Sequence, residues 1–238
     1  IKNRKNEFHK TALKIALSFG AVAAILQPLS GDISAKDVAK RQPAKLAALE
    51  AHYKTSTHAG FVFGGIPNNK TEQVDYAIHV PGLLSYLAHG DFNAEVIGLD
   101  KFPKEERPPV VITHVAFQIM ILSGCLLALA GLLFIIFSTR WKNILSKKWW
   151  LVFIAWLTPL GFIAVEAGWT VTETGRQPWI IYGVMKTKDA VSTMPGLQYS
   201  FYSIMAVYVL LTIIIIWLMR KHIARLQTDY PSAKIETE

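Results

Sequence analysis

Two short stretches put polar chemistry inside apolar sequence. The first, GWTVTETGRQPW (Gly168–Trp179), closes an apolar run. Glu166 and Glu173 are seven residues apart, so both project from nearly one face if the helix continues, with Trp169 between them. Carboxyls turned toward a membrane interior are costly unless protonated, paired or bound to metal. The arrangement therefore suits proton relay or metal ligation; alternatively, Arg176 neutralises Glu173 and pins the helix end at the interface. The second stretch, THVAFQIM (Thr113–Met120), sets His114, Gln118 and Met120 in an apolar surface. His114 and Gln118 share a face, while Met120 points about 120° away from His114. Imidazole and thioether are both axial ligands for haem iron, yet a Met in a membrane helix also serves simple packing. A His near the mouth of a span also serves as a hydrogen-bond partner for a neighbouring helix.

These residues need elements to hold them. The chain has 238 residues, 52% of them hydrophobic, and a mean hydropathy of +0.30. A hydrocarbon core needs roughly 20 apolar residues per helix. Three runs meet that plainly: Val110–Phe137, Trp149–Trp169 and Leu197–Met219. A fourth, Thr11–Leu29, is interrupted by Lys14, whose side chain can snorkel to the interface. The expectation is an integral membrane protein with four spans.

The net charge of +8 falls in clusters: Lys2, Arg4, Lys5 and Lys10; Arg140, Lys142, Lys147 and Lys148; Arg220, Lys221 and Arg225. If four helices cross in turn, all three clusters lie on one side, which is the positive-inside pattern. The charge sets topology and argues against a nucleic-acid partner. The lone Cys125 forms no disulfide within the chain and reads as a small buried hydrophobe. The first residue is Ile1, and the polar opening IKNRKNEFHK lacks a signal-peptide core. The chain therefore reads as a piece of a longer protein.

The segment Ser30–Pro108 is longer than a helix connection requires, which points to function or disorder. Its pattern favours structure. A helix-period stretch after Pro43 sets Leu46, Leu49 and Tyr53 on one face, and FVFGGIP (Phe61–Pro67) and YAIHVPGLLSYL (Tyr76–Leu87) form apolar islands. A compact lid at the membrane surface is expected. Lys45 and Glu50 lie about 140° apart round the helix, too far for a simple neighbouring ion pair.

The pattern GWxxxExGRQPW, here Gly168-Trp169 through Glu173, Gly175-Arg176-Gln177-Pro178-Trp179, resembles the hallmark of subunit I of cytochrome bd-type quinol oxidases. Three further stretches agree in order. AKLAALEAHY (Ala44–Tyr53) resembles the start of that family's quinol-binding loop, FQIM (Phe117–Met120) its haem-ligating helix, and IAVEAGW (Ile163–Trp169) the approach to the hallmark. The resemblance covers essentially the whole chain and corresponds to the family's carboxy-terminal half.

The resemblance implies an all-α membrane bundle: four transmembrane helices of a larger bundle plus a long extracytoplasmic loop. Its parts would be a basic cytoplasmic lead and first helix (1–29), the quinol-binding loop (30–108), the low-spin-haem helix (109–138), a basic loop and helix (139–170), the hallmark loop (171–196), the last helix (197–220) and a cytoplasmic tail (221–238). Met120 matches an axial ligand of low-spin haem b, whose His partner would come from an earlier helix. Glu173, with Glu166 as a second carboxylate, matches the acid at the high-spin haem b and the third haem (haem d or a further haem b). Arg176, Gln177, Trp179 and Trp169 would hold haem propionates or the loop geometry, Arg suiting bidentate carboxylate contact. Lys45 and Glu50 match residues of quinol oxidation, Glu50 as general base and Lys45 orienting the ring oxygen.

Electrons would pass from quinol to the Met120 haem and on to the pair near Glu173, where oxygen becomes water and a proton gradient is built. Implied partners are the missing amino-terminal half, subunit II, a small accessory subunit, membrane lipid and quinol. The implied location is a bacterial or archaeal cytoplasmic membrane, with both chain ends inside. The chain alone is expected to be inactive.

Two departures stand out. Gln118 replaces an Arg of several members, and the long insertion of one branch after Glu50 is missing, which makes this a short-loop member. His114 receives no role from the resemblance. Two rival readings remain: a haem-free transporter or proton channel using Glu166 and Glu173, and a haem-free quinone-binding or assembly subunit.

Overall fold

A computed structural model describes residues 6–141 and 143–229. Lys2, Arg4, Lys5 and Lys142 of the basic clusters, Ile1, and the tail beyond 229 lie outside the described residues. The described chain divides between Ala190 and Val191 into two units.

The first unit opens with α1 (Glu7–Arg41), capped by the Asn6 side chain, which accepts from the Phe8 N–H. The helix continues past Leu29, where the apolar run ends. Asp32–Lys36 and Asp37–Arg41, each spaced i,i+4, support its polar extension. After Gln42, Pro43 sits at the first turn of α2 (Pro43–Leu49), where its missing N–H costs nothing.

The rest of the long segment is a set of short pieces: β1 (Ser56–Thr57), β2 (Phe61–Phe63), β3 (Ile66–Asn68), β4 (Gln73–Asp75), β5 (Ile78–Val80), α3 (Leu83–His89) and β6 (Glu95–Val96). They pair antiparallel as β1–β6, β2–β5 and β3–β4. Gly64 and Gly65 (φ +67° and +81°) supply the left-handed turn between β2 and β3 that other residues resist. Ala59, Phe61, Leu84, Ala88 and Val96 form a core with Ala39 and Leu46, against which Phe117 and Ile121 pack. The expected lid is thus a packed cap, bound to the helices by its own apolar core.

Two long helices follow, α4 (Val110–Arg140) and α5 (Lys148–Thr174), and they make the most extensive helix contact of this unit. At one end Ala21, Phe134, Ile144 and Trp150 form a core. A Cβ on Gly131 would lie 3.1 Å from the Ala21 Cα, so small residues let α1 and α4 approach closely. At the other end Leu49, Ala116 and Val171 join α2, α4 and α5. Cys125 is exposed on α4, against the expectation of burial: the apolar surface there faces outward. The unit closes with the hairpin β7 (Trp179–Ile181) and β8 (Met185–Lys186).

The second unit is α6 (Leu197–Asp229), one continuous helix. Among the described residues α1, α4, α5 and α6 are each long and apolar enough to cross a membrane. The protein is all-α in its membrane part, and its β structure is confined to the connecting segments.

Candidate functional site

Helix α5 continues through Thr174, so Glu166 and Glu173 do lie on one helix, both exposed. Trp169 between them is 63% exposed. The Arg176 guanidinium donates to Glu173 Oε1 at 3.1 Å. The pair is half-exposed, so its worth to stability is small. Its consequence is orientation: the carboxylate keeps one oxygen on Arg176.

The turn after α5 is stiffened by its own residues. Trp179 N–H donates to the Arg176 carbonyl at 3.0 Å. Thr187 Oγ1 donates to Gln177 Oε1 at 2.7 Å. Lys186 lies over the Trp179 ring, 4.9 Å from its centre, and donates to Glu106 Oε1 at 2.7 Å. That last bond ties the hairpin to the segment just before α4.

Lys45 reaches the same place from α2. A Cβ on Gly175 would sit 3.3 Å from the Lys45 Cε. Burial lowers the Lys45 pKa, the Arg176 charge lowers it further, and Glu173 opposes both. Residues far apart in sequence thus form one charge cluster, Lys45–Glu173–Arg176.

Glu50 points elsewhere. It caps the C-terminal end of α2 at 2% exposure, and its Oε2 has no hydrogen-bond partner. Burial pushes its pKa well above the ordinary carboxylate value, against a backbone hydrogen bond from Val62. An orphaned buried carboxyl oxygen is expensive unless something engages it. Beside this turn an open cavity of about 410 Å³ is lined by Ala51, His52, Tyr53, Val62 and His79 among others. His52, which no sequence pattern singles out, leaves its Nε2 buried and unpartnered. Only its position two residues after Glu50 could have drawn notice.

Met120 lies at the α4–α5 contact, where a Cβ on Gly168 would meet its Sδ at 3.1 Å. Thr113 and Thr174 hydroxyls, 3.2 Å apart, join the same two helices near Glu173. His114, without a role from sequence, is fully buried, with Nδ1 2.7 Å from the Leu49 carbonyl and Nε2 3.2 Å from that of Gly64. The predicted residues therefore form three neighbourhoods: the cluster Lys45–Glu173–Arg176 with its hairpin, the buried Glu50, and Met120 on Gly168.

Comparison with known proteins covers the same residues. A family model described as "Cytochrome bd terminal oxidase subunit I" matches residues 1–227. "Cytochrome bd ubiquinol oxidase subunit 1" of Bacillus subtilis (strain 168) is 31% identical over 238 residues, covering 94% of this chain and 51% of the relative. "Cytochrome bd-II ubiquinol oxidase subunit 1" of Escherichia coli (strain K12) is 29% identical, covering 93% and 56%. A solved structure, "The structure of bd oxidase from Geobacillus thermodenitrificans", superposes with a TM-score of 0.80 at 34% identity, covering 92% of this chain and 50% of that one. The chain spans about half the length of these relatives. The haem-free transporter built on Glu166 and Glu173 finds no support among them.

Proposed function

The chain belongs to the cytochrome bd terminal oxidase subunit I family, and from that premise we propose that it supplies the quinol-oxidising loop and haem ligands of a respiratory quinol:oxygen oxidoreductase. The observation that carries the reading is the pair of environments on α2. Lys45 lies against the hallmark turn at Gly175, and Glu50 keeps a buried carboxyl oxygen free of partners.

Glu50 takes the proton from a quinol hydroxyl, the role of a general base. Its dry site makes the carboxylate a stronger base than a solvated one. Lys45, whose pKa is lowered by burial and by Arg176, orients the ring oxygen by donating to it. The long loop and the hallmark turn face the outer side of the membrane, and the basic residues between α4 and α5 face the cytoplasm. Protons leaving Glu50 would then be released outside.

Met120 and Glu173 fit a haem better than a bare ion. Each would offer one ligand atom to a haem iron, Met120 its thioether sulfur and Glu173 its carboxylate. Among the described residues no cluster of three His, Cys, Asp or Glu forms. Met120 would hold low-spin haem b, and Glu173 would serve high-spin haem b or the third haem, d or b. Bound haems would supply electron transfer and the reduction of oxygen to water. Arg176, Gln177 and Trp179 keep the turn rigid and offer a guanidinium to a propionate. The remaining half of subunit I, subunit II and a small accessory subunit complete the enzyme.

Reduced-minus-oxidised spectra of membranes carrying the full-length oxidase test the assignments. Met120→Leu should remove the low-spin b signal, and Glu173→Ala the high-spin signals. Wild-type spectra in both variants would overturn the ligand roles.

A further inference from the structure

Strand β2 is flanked on one side by a strand and on the other by side chains. Phe61, Val62 and Phe63 register with Val80, His79 and Ile78 of β5. The polar groups of α4 meet the same stretch. Gln118 Nε2 donates to the Val62 carbonyl at 2.8 Å, and Gly64 N–H donates to Gln118 Oε1 at 3.0 Å. One primary amide thus offers the donor and the acceptor that a neighbouring strand would otherwise present to residues two apart.

His114, one helical turn earlier, extends the grip. Its Nδ1 lies 2.7 Å from the carbonyl of Leu49, the residue before Glu50, and its Nε2 lies 3.2 Å from that of Gly64. Both ring nitrogens thus face backbone carbonyls, and the closer of the two is that of Leu49. Val62 closes the circuit, because its backbone also hydrogen-bonds the Glu50 carboxyl. Met120 follows Gln118 by two residues on the same helix, against Gly168 of α5.

We infer that Gln118 and His114 are positioning residues for quinol oxidation, holding the end of α2 and the edge of β2 so that Glu50 keeps a fixed place relative to α4 and Met120. The inference rests on the reading of Glu50 as the quinol base. Neither residue need touch quinol. A carboxyl that must meet one hydroxyl loses effectiveness when its backbone drifts by an ångström, and α4 is the ruler against which that drift is measured.

The test uses the complete oxidase in membranes and follows oxygen consumption with quinol, and separately with a small one-electron donor that reduces haem without using the quinol loop. Gln118→Met keeps the side-chain length and removes both hydrogen bonds. It should lower kcat/KM for quinol roughly tenfold, the size expected for lost hydrogen bonds that hold the base in place. The direct-donor rate and the low-spin spectrum should stay within about twofold of wild type. His114→Leu should do the same, and His114→Asn, which keeps a donor near Nδ1, should recover most of the loss. A wild-type kcat/KM for quinol in Gln118→Met and His114→Leu would overturn the inference. So would a parallel fall of both rates with the low-spin signal, which would assign the residues to haem or to folding. Glu50→Gln separates the two readings. If it oxidises quinol normally, the quinol-base reading fails and this inference with it. If it is impaired while Gln118→Met and His114→Leu are normal, only the positioning role fails.

Discussion

Glu50 is the residue whose behaviour the fold changes most. Its burial raises the pKa above the ordinary 4.5, and the ionised form is the one that can accept a proton. Quinol-dependent oxygen consumption should therefore climb with pH through the range above 4.5. Glu50→Gln should flatten that rise and lower turnover about 100-fold, a typical loss for a general base. The stability consequence has the opposite sign. A carboxyl with a raised folded pKa contributes fully below its unfolded pKa and loses that contribution as pH rises through the folded one. Glu50→Gln should accordingly melt higher than wild type at alkaline pH and show no such gain near pH 4, as differential scanning would read. Lys45 and Glu50 were legible in the sequence as residue types in a recognisable stretch. Their surroundings were not, because Gly175 approaches Lys45, and Val62 approaches Glu50, only once distant segments pack.

At the scale of elements, glycines let the helices approach, Gly131 toward α1 and Gly168 toward α4, and the second of these meetings bears on chemistry. The Gly168 position leaves just enough room for Met120 Sδ, with an added Cβ only 3.1 Å away. Gly168→Val should push the thioether off its present site, and the low-spin haem signal should weaken or shift while total helix content, read by circular dichroism, holds. A wild-type spectrum in that variant would count against Met120 as a haem ligand. The long apolar runs made α4, α5 and α6 plain from sequence. The extension of α1 to Arg41 was hidden, because Gly31, Asp32 and Ser34 read as loop residues and the i,i+4 ion pairs beyond them carry no apolar period. The two- and three-residue strands were hidden for a related reason: a strand that short has no alternation to detect.

For the whole molecule, the family was legible because the hallmark spans twelve adjacent positions and needs no tertiary knowledge. The wiring among its parts was not legible, since it runs through contacts such as Thr113 with Thr174 and Lys186 with Glu106. The chain spans about half of its relatives. Expressed with the remaining half of subunit I and subunit II, it should acquire haem absorbance that it lacks by itself, which optical titration of co-expressed halves would detect. The bond between Lys186 and Glu106, 2.7 Å long and partly shielded from solvent, carries a mechanical meaning. With Lys45 resting on Gly175, it joins the hallmark hairpin region to the segment before α4 and to α2 at two separate points. Amide deuterium uptake in residues 179–187 should slow together with that in residues 43–64 when a quinol analogue binds, and Lys186→Met should let the two segments exchange to separate rhythms.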